Sequence, residues 1–200
     1  MTLRIIDSHK NIGEILNENI NKNYKHVIFL DWDDTVISTS SLNNYKFEFQ
    51  NQREKFDIIE TFKAFYINDS CLALYILTYR QNPYDVQGEA TELKIMEYLK
   101  SDYKCRRTDT YNRIGPIISV DYGCPKINVI QEIINEDFNK ITNNVLLYFV
   151  DDNYKNIVGC LLSSKYEDNM FIYFFPDSNE NLTISRNINK KAKEILKYLK

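Results

Sequence analysis

Short apolar runs alternate with segments of helical spacing along most of the chain, and this pattern predicts alternating strands and helices. Five apolar runs predict strands, namely 27–30, 71–77, 117–121, 145–150 and 170–175. Helical spacing predicts helices over 53–66, 85–100, 127–138 and 184–199, and Ser8 is placed to cap a first helix. Unbroken apolar runs are typical of strands that are buried on both faces. We therefore expect an α/β fold with a doubly wound, mostly parallel, Rossmann-like sheet and helices on both faces.

Residues 37–50 depart from this pattern, because a polar stretch is followed by aromatic residues that alternate with charged ones at positions 45–49. A period of two predicts a short hairpin flap, placed to cover the carboxyl end of the first strand. Packing of these rings against the protein's own core is the alternative to a role in gripping a substrate. The chain has 200 residues, of which 44% are hydrophobic, so we expect a single domain over 1–200.

Composition narrows the class of protein. The formal net charge is −3 and the pI is about 5.5, which gives no overall attraction to a phosphate backbone and weakens a nucleic-acid-binding interpretation. The four cysteines are widely spaced and there are two histidines, so neither a zinc site nor a disulfide framework is indicated. Neither a signal peptide nor an apolar stretch of membrane-spanning length is recognisable, so we expect a cytoplasmic protein, with location in a host cell as the alternative.

The first predicted strand ends in a dense group of acidic residues. Asp31, Asp33 and Asp34 occupy three of four consecutive positions. Two unit charges ~4 Å apart repel by roughly 4 kcal/mol at an effective dielectric near 20, so a cation among them would stabilise the arrangement. A metal site is therefore the first hypothesis for this end of the strand.

Polar residues also follow the other predicted strands. Thr78 ends the second strand, Lys126 begins the helix after the third, and Asp151 and Asp152 end the fourth. The carboxyl ends of parallel strands meet at one edge of a sheet, which is where ligands bind in open α/β folds. Carboxylates, a hydroxyl, an ammonium group and a metal-binding pair are the parts needed to transfer a phosphoryl group through an aspartyl-phosphate.

The order and spacing of these residues resemble the haloacid dehalogenase superfamily of phosphohydrolases across essentially the whole chain. The first motif of that family, Asp-x-Asp-x-Thr/Val after an apolar strand, is matched by Asp31-Trp32-Asp33-Asp34-Thr35. The resemblance implies that Asp31 is the nucleophile and that Asp33 is the general acid/base, with its backbone carbonyl on the metal. Thr35 is a further candidate for contact with the substrate. Asp34 is a departure, since many members have glycine there.

The remaining motifs of the family have matches in the same order. The resemblance implies that Thr78 binds the transferring phosphoryl group and that Lys126 neutralises both the nucleophile and the substrate phosphate. Asp151 and Asp152 match the acidic pair that binds Mg²⁺, and Asp152 is the expected direct ligand. Asn156 is a second departure, since some members have a further acid there.

Each of these residues also has a plainer interpretation. Thr78 is explained equally as a strand-end cap, and the pair 151–152 as a helix cap. Lys126 taken alone is an ordinary surface lysine, and Lys104 and Lys140 are alternative candidates for the lysine of the site. Arg80 either reaches a substrate anion or forms a surface ion pair.

We expect a Mg²⁺-dependent phosphatase that acts through an aspartyl-phosphate. The 46 residues between Asp31 and Thr78 and the 47 between Thr78 and Lys126 are filled by elements that the sheet needs, so no large cap domain is expected. Capless members of the family tend to admit bulky substrates. We favour a phosphorylated protein, phosphotyrosine included, because the chain is acidic and the predicted flap is aromatic.

Other functions remain open at this point. Phosphorylated nucleic-acid ends and small metabolites are alternative substrates, and a catalytically inactive phosphatase-like interaction module is an alternative of another class. A receiver-type phosphoacceptor module uses similar residues, but here an acidic pair follows the lysine, and that order argues against it. The sequence does not indicate an oligomeric state.

Overall fold

A computed structural model of the chain describes residues 2–5, 23–37, 59, 62–100, 104–138, 144–162 and 169–174. Within these ranges eight strands form one sheet: β1 (Thr2–Ile5), β2 (Lys25–Leu30), β3 (Cys71–Thr78), β4 (Cys105–Arg107), β5 (Tyr111–Ile114), β6 (Ile117–Val120), β7 (Val145–Asp151) and β8 (Met170–Phe174). Three described α-helices are α1 (Pro83–Glu92), α2 (Lys126–Phe138) and α3 (Tyr154–Leu161). Residues 62–67 are also helical, and Ile95–Tyr98 forms a 3₁₀ helix.

The strands lie in the order β1-β8-β7-β2-β3-β6-β5-β4. In this spatial order, every neighbouring pair from β1 through β8, β7, β2 and β3 to β6 is parallel. The remaining strand β5 is antiparallel to both of its neighbours, β6 and β4. Phe29 of β2 pairs with Tyr75 of β3 on one side and with Phe149 of β7 on the other. Because β7, β2, β3 and β6 run in the same direction, their carboxyl ends meet at one edge of the sheet, called here the carboxyl edge.

Apolar side chains of the central strands alternate between two core clusters. Ile28, Ile76 and Val150 belong to the cluster that also contains apolar residues of α1 and of the helical segment 62–67. Phe29, Tyr75 and Phe149 belong to the cluster that contains apolar residues of α2 and α3. The described helices therefore pack on both faces of the sheet.

The prediction of a mixed α/β fold with a mostly parallel sheet is confirmed, and the five predicted strands correspond to β2, β3, β6, β7 and β8. The prediction of one helix over 85–100 is wrong, because α1 ends at Glu92 and Lys94 has a left-handed φ of 60° before the 3₁₀ helix begins. The sequence analysis also missed β1, β4 and β5. These strands have three or four residues, and each contains arginine within that length, so none forms a recognisable apolar run.

Several predicted elements lie outside the described residues. They are the first helix after Ser8, the closing helix over 184–199 and all of the flap beyond Ile37. The predicted helix over 53–66 is described at residues 59 and 62–66, where it is helical. None of the helices in the described ranges has the length and apolarity needed to cross a membrane.

Candidate functional site

Asp31 lies directly after β2, in the middle of the sheet. Its backbone N–H donates to the Val150 carbonyl at 2.9 Å, so pairing with β7 continues one residue beyond the strand. The residue is 5% exposed, and Thr35 Oγ1 donates to its Oδ2 at 3.1 Å. The Asp31 carboxylate is therefore buried and oriented at the carboxyl edge.

A tight turn brings Thr35 back toward Asp31. The N–H groups of Val36 and Ile37 both donate to the Trp32 carbonyl, at 2.9 and 3.0 Å. Asp34 has a φ of 57°, in the left-handed region that glycine adopts with least strain and that aspartate tolerates better than most residues. The glycine expected at this position thus has a backbone explanation, and Asp34 is compatible with the same turn.

Lys126 is the first residue of α2, and its ammonium group is buried between two carboxylates. Nζ donates to Asp31 Oδ1 and, at 2.8 Å, to Asp151 Oδ2, and it lies 5.1 Å from the centre of the Tyr79 ring. Burial by itself lowers the pKa of Lys126, but the attraction of Asp151 and Asp31 outweighs it and holds that pKa above its ordinary value. Lys126 is therefore a permanent cation in contact with the candidate nucleophile.

Of the two alternative lysines, Lys104 is described and is not at this position. Lys104 Nζ donates to Asp137 at 2.7 Å, near the last residue of α2, whereas Lys126 is the first residue of that helix. Lys140 lies outside the described residues. Among the lysines that the structure describes, Lys126 is the one in contact with Asp31.

Protein donors occupy both oxygens of Asp151, the last residue of β7. Oδ1 accepts from the Asn153 N–H at 2.7 Å and from Asn156 Nδ2 at 3.1 Å. Oδ2 accepts from Lys126 and from the same Asn156 amide at 3.0 Å. The Asn156 Oδ1 in turn accepts from the Tyr79 hydroxyl at 3.1 Å. Asn156, a departure from the expected acid, thus orients Asp151 with a neutral amide.

The cap of α3 bears on the plainer interpretation of the acidic pair. Asn153 is the N-cap residue, and its Oδ1 accepts from the Lys155 N–H at 3.0 Å. Helix capping therefore falls to Asn153, and it does not explain the presence of Asp151 and Asp152.

Asp31, Asp151 and Asp152 form an acidic triad in which one carboxylate oxygen of each lies within 4.8 Å of the others. All three donors are hard oxygen ligands, the type that Mg²⁺ and Ca²⁺ prefer. Both oxygens of Asp31 and both oxygens of Asp151 already accept hydrogen bonds, whereas Asp152 is partly exposed. The donor set fits a divalent cation, with Asp152 as the residue best placed to contact it.

The pKa values of the triad also favour a bound cation. Burial, reinforced by the charge of Asp151 and opposed by Lys126, raises the pKa of Asp31 to about 7. Burial and the charges of Asp31 and Asp151 raise the pKa of Asp152 to about 9. Lys126 alone therefore does not compensate three carboxylates, and a bound cation would lower both pKa values.

Asp33 has a different environment from the triad. Its carboxylate accepts from Thr78 Oγ1 at 3.3 Å and from Arg80, with Nε at 3.0 Å and Nη2 at 2.5 Å. Thr78 Oγ1 also accepts from the Arg80 backbone N–H at 3.1 Å, so Thr78 does cap its strand end as well as contact Asp33. The Asp33 side chain lies with these residues, not within the triad, and the expected contact of its carbonyl with a metal stays a prediction.

Two residues that the sequence analysis did not place in the site extend this environment. Glu89 of α1 accepts from Arg80 Nη1 at 2.5 Å and from Trp32 Nε1 at 2.7 Å. Arg80 therefore forms an ion pair with two carboxylates that is partly buried, and its predicted contact with a substrate anion stays a prediction. Glu89 lies three positions after Val86 and directly before Ala90, and both of these residues are buried. A charged residue so close to the apolar face of a helix is the sequence feature that could have indicated a role for Glu89.

Comparison of the chain with protein-family models, with curated proteins and with solved structures finds no match. The functional interpretation therefore depends on the residues themselves. They place the buried Asp31 carboxylate in contact with the Lys126 ammonium group, within an acidic triad that could hold a metal ion, and a second carboxylate, Asp33, lies two residues along the chain. Such a set can support nucleophilic attack, charge neutralisation and proton transfer.

Proposed function

We propose that this protein is a Mg²⁺-dependent phosphatase of the haloacid dehalogenase type, in which Asp31 forms an aspartyl-phosphate. The observation that carries the proposal is the contact of Lys126 with both Asp31 and Asp151, next to Asp152. A buried nucleophilic carboxylate, a fixed cation and a metal-binding pair are together what phosphoryl transfer to aspartate requires. The proposal includes a doubly wound sheet without a large cap domain.

The chain's own residues account for the steps of the reaction. Asp31 attacks phosphorus with one carboxylate oxygen, and the bond between phosphorus and the leaving oxygen breaks as Asp33, which must have taken up a proton in the substrate complex, gives that oxygen the proton. Asp33 then takes a proton from a water molecule, the resulting hydroxide attacks phosphorus, and Asp31 is released with inorganic phosphate. Lys126 neutralises charge on Asp31 and on the phosphoryl oxygens throughout.

The metal belongs beside the nucleophile in this scheme. Asp31 and Asp152 would hold Mg²⁺, with Asp151 orienting Lys126. When bound, Mg²⁺ would supply positive charge that keeps Asp31 ionised and offsets the charge of the phosphate.

For the substrate, we propose a phosphorylated macromolecule, with protein favoured over nucleic acid. The negative net charge of the protein disfavours binding to nucleic acids, because their phosphate backbones are also negative. Two tyrosines near the carboxyl edge are well exposed, Tyr84 at 63% and Tyr122 at 93%, and aromatic rings suit contact with a polypeptide. We further propose that the protein acts in the cytoplasm, either of the cell that produces it or of a host cell.

The test of the activity uses para-nitrophenyl phosphate with and without Mg²⁺. We expect metal-dependent release of nitrophenol by the wild type and none by Asp31→Asn. Asp69→Asn is a matched control, because it removes one carboxylate charge from an exposed turn before β3. Release that persists in Asp31→Asn contradicts the proposal.

The substrate class needs a separate experiment. Phosphopeptides, including phosphotyrosine peptides, are compared with oligonucleotides carrying 3′ or 5′ phosphates. Faster phosphate release from peptides supports the proposal, whereas preference for oligonucleotide ends contradicts it. Inertness toward both, with activity on small phosphate esters, indicates a metabolite phosphatase.

A further inference from the structure

Glu89 connects two parts of the candidate site from a helix that lies outside it. Its Oε2 accepts from Trp32 Nε1 at 2.7 Å, and its Oε1 accepts from Arg80 Nη1 at 2.5 Å. Trp32 lies between Asp31 and Asp33 in the chain, and Arg80 is in contact with Asp33. The Glu89 carboxylate of α1 therefore accepts hydrogen bonds both from Trp32, the residue before Asp33 in the chain, and from Arg80, which contacts the Asp33 side chain.

We propose that Glu89 is a positioning residue that sets the Asp33 carboxylate for proton transfer, acting through Arg80. The inference rests on the proposed function, in which Asp33 gives a proton to the leaving oxygen. Glu89 itself does not contact the reacting atoms.

The geometry of Arg80 carries the argument. Its guanidinium uses Nε and Nη2 on Asp33 and Nη1 on Glu89, so opposite edges of one rigid plane are bonded to two carboxylates. The bonds from Nε and Nη2 to Asp33 orient one edge of the plane, and the bond from Nη1 to Glu89 adds a second anchor on another nitrogen. The Arg80 side chain is 19% exposed and that of Glu89 is 11% exposed, so water competes little for these contacts. The position of Asp33 therefore depends on Glu89.

The backbone around Thr78 strengthens this dependence. Thr78 Oγ1 accepts from the Arg80 N–H at 3.1 Å and donates to Asp33 Oδ2 at 3.3 Å. The Thr78 hydroxyl and the Arg80 guanidinium thus contact Asp33 from residues two positions apart at one strand end. Among the contacts that the described residues make with the Asp33 carboxylate, a shift of the guanidinium leaves the longer bond from Thr78.

Attachment of α1 to the sheet does not explain Glu89. Val86 and Ala90 are fully buried against the core, and Asn82 caps the helix by accepting from the Tyr84 N–H at 3.2 Å. A partly buried carboxylate costs free energy that an apolar side chain would not. A role in orienting Trp32 and Arg80 gives the charge a function.

The experiment compares two substrates that differ in their need for a proton donor. Phenyl phosphate has a poor leaving group, whereas para-nitrophenyl phosphate has a much more acidic one that departs with little help. The kcat/KM values report the first phosphoryl transfer, in which Asp33 acts as acid. Asp33→Asn supplies the reference pattern for loss of the acid.

We expect Glu89→Gln to lower kcat/KM for phenyl phosphate about ten-fold or more, and that for para-nitrophenyl phosphate by less than about three-fold. Glu92→Gln is the matched control, because Glu92 lies on the same helix, is exposed, and loses the same charge. It is expected to leave both values unchanged.

Arg80→Lys provides a second route to the same result. Lysine keeps the positive charge but cannot bond to Asp33 and Glu89 in one plane, so we expect the same substrate-dependent loss. If Glu89→Gln does not fold, this variant still tests the link through which Glu89 acts, because a loss in Arg80→Lys that does not depend on the substrate overturns the positioning role. Circular dichroism melting of each variant shows whether it folds.

The outcomes separate the two proposals. Equal losses on both substrates in a folded Glu89→Gln or Arg80→Lys variant, with activity that still requires Asp31, overturn the positioning role alone. Absence of any Asp31-dependent release by the wild type overturns the proposed function and the positioning role with it.

Discussion

Replacement of Lys126 by methionine removes the ammonium group between Asp31 and Asp151 while keeping a side chain of similar length. Nζ lies 2.8 Å from Asp151 Oδ2, and the side chain is 1% exposed. At that distance and an effective dielectric near 20, the attraction to one carboxylate is about 6 kcal/mol, against which the desolvation of both ions must be set. Removing one partner of a buried pair typically costs about 3–5 kcal/mol. We expect Lys126→Met to lower the free energy of unfolding by that amount.

Urea unfolding followed by circular dichroism measures this change. The matched control is Lys104→Met, because Lys104 also contacts a carboxylate, Asp137, but its side chain is 37% exposed. Solvent screening limits the expected loss for the control to about 1 kcal/mol or less. Equal stabilities of Lys126→Met and the wild type would refute the argument that this ammonium compensates the buried charges.

Two further predictions concern the carboxylates. Asp152→Asn is expected to raise the melting temperature in metal-free buffer at pH 7, because burial beside Asp31 and Asp151 raises the pKa of Asp152 to about 9, so folding requires this carboxyl to take up a proton that asparagine does not need. The same variant is expected to abolish most of the stabilisation that Mg²⁺ gives the wild type, and a thermal shift by Mg²⁺ equal to that of the wild type would contradict the prediction. Burial raises the pKa of Asp137, but hydrogen bonds from Arg113, Lys104 and Tyr75 outweigh it and hold that pKa at about 2, below the ordinary 3.8. The ionised Asp137 therefore contributes fully to stability above about pH 4, and this contribution is lost as the pH falls toward 2. The free energy of unfolding of Asp137→Asn, measured in urea, should depend less on pH between about 4 and 2 than that of the wild type. An unchanged dependence would refute the lowered pKa of Asp137.

The centre of the fold was predictable because each central strand carries its own local pattern. β2, β3 and β7 contain apolar runs that are followed or ended by Asp31, Thr78 and Asp151, so both the strand and its candidate site residue are recognisable from a few adjacent positions. Parallel pairing then brings these ends to one edge without further information.

The antiparallel end of the sheet was not predictable in this way. β5 contains Arg113, which is fully buried because it donates to Asp137 of α2 at 2.8 and 3.0 Å. An arginine in a short segment predicts exposure unless its partner is known, and that partner lies 24 positions away. The end of α1 was missed for a local reason, since the apolar spacing continues past Lys94 although its backbone is left-handed.

The surroundings of Asp33 show the same limit within the site. Trp32 and Glu89 are 57 positions apart and meet through a side-chain hydrogen bond. Spacing placed Arg80 near the site, but only the three-dimensional arrangement directs its guanidinium to Asp33 and Glu89. Motif residues are thus predictable from sequence, and the residues that orient them are not.

The most direct test of the account is to locate the phosphate during turnover. The wild-type protein is mixed with substrate and Mg²⁺, quenched in acid within the first turnovers, digested and examined by mass spectrometry. The account predicts a phosphorylated peptide with the modification on Asp31, removable by hydroxylamine as an acyl phosphate is. Turnover without phosphate on Asp31, or with phosphate on another residue, would contradict it.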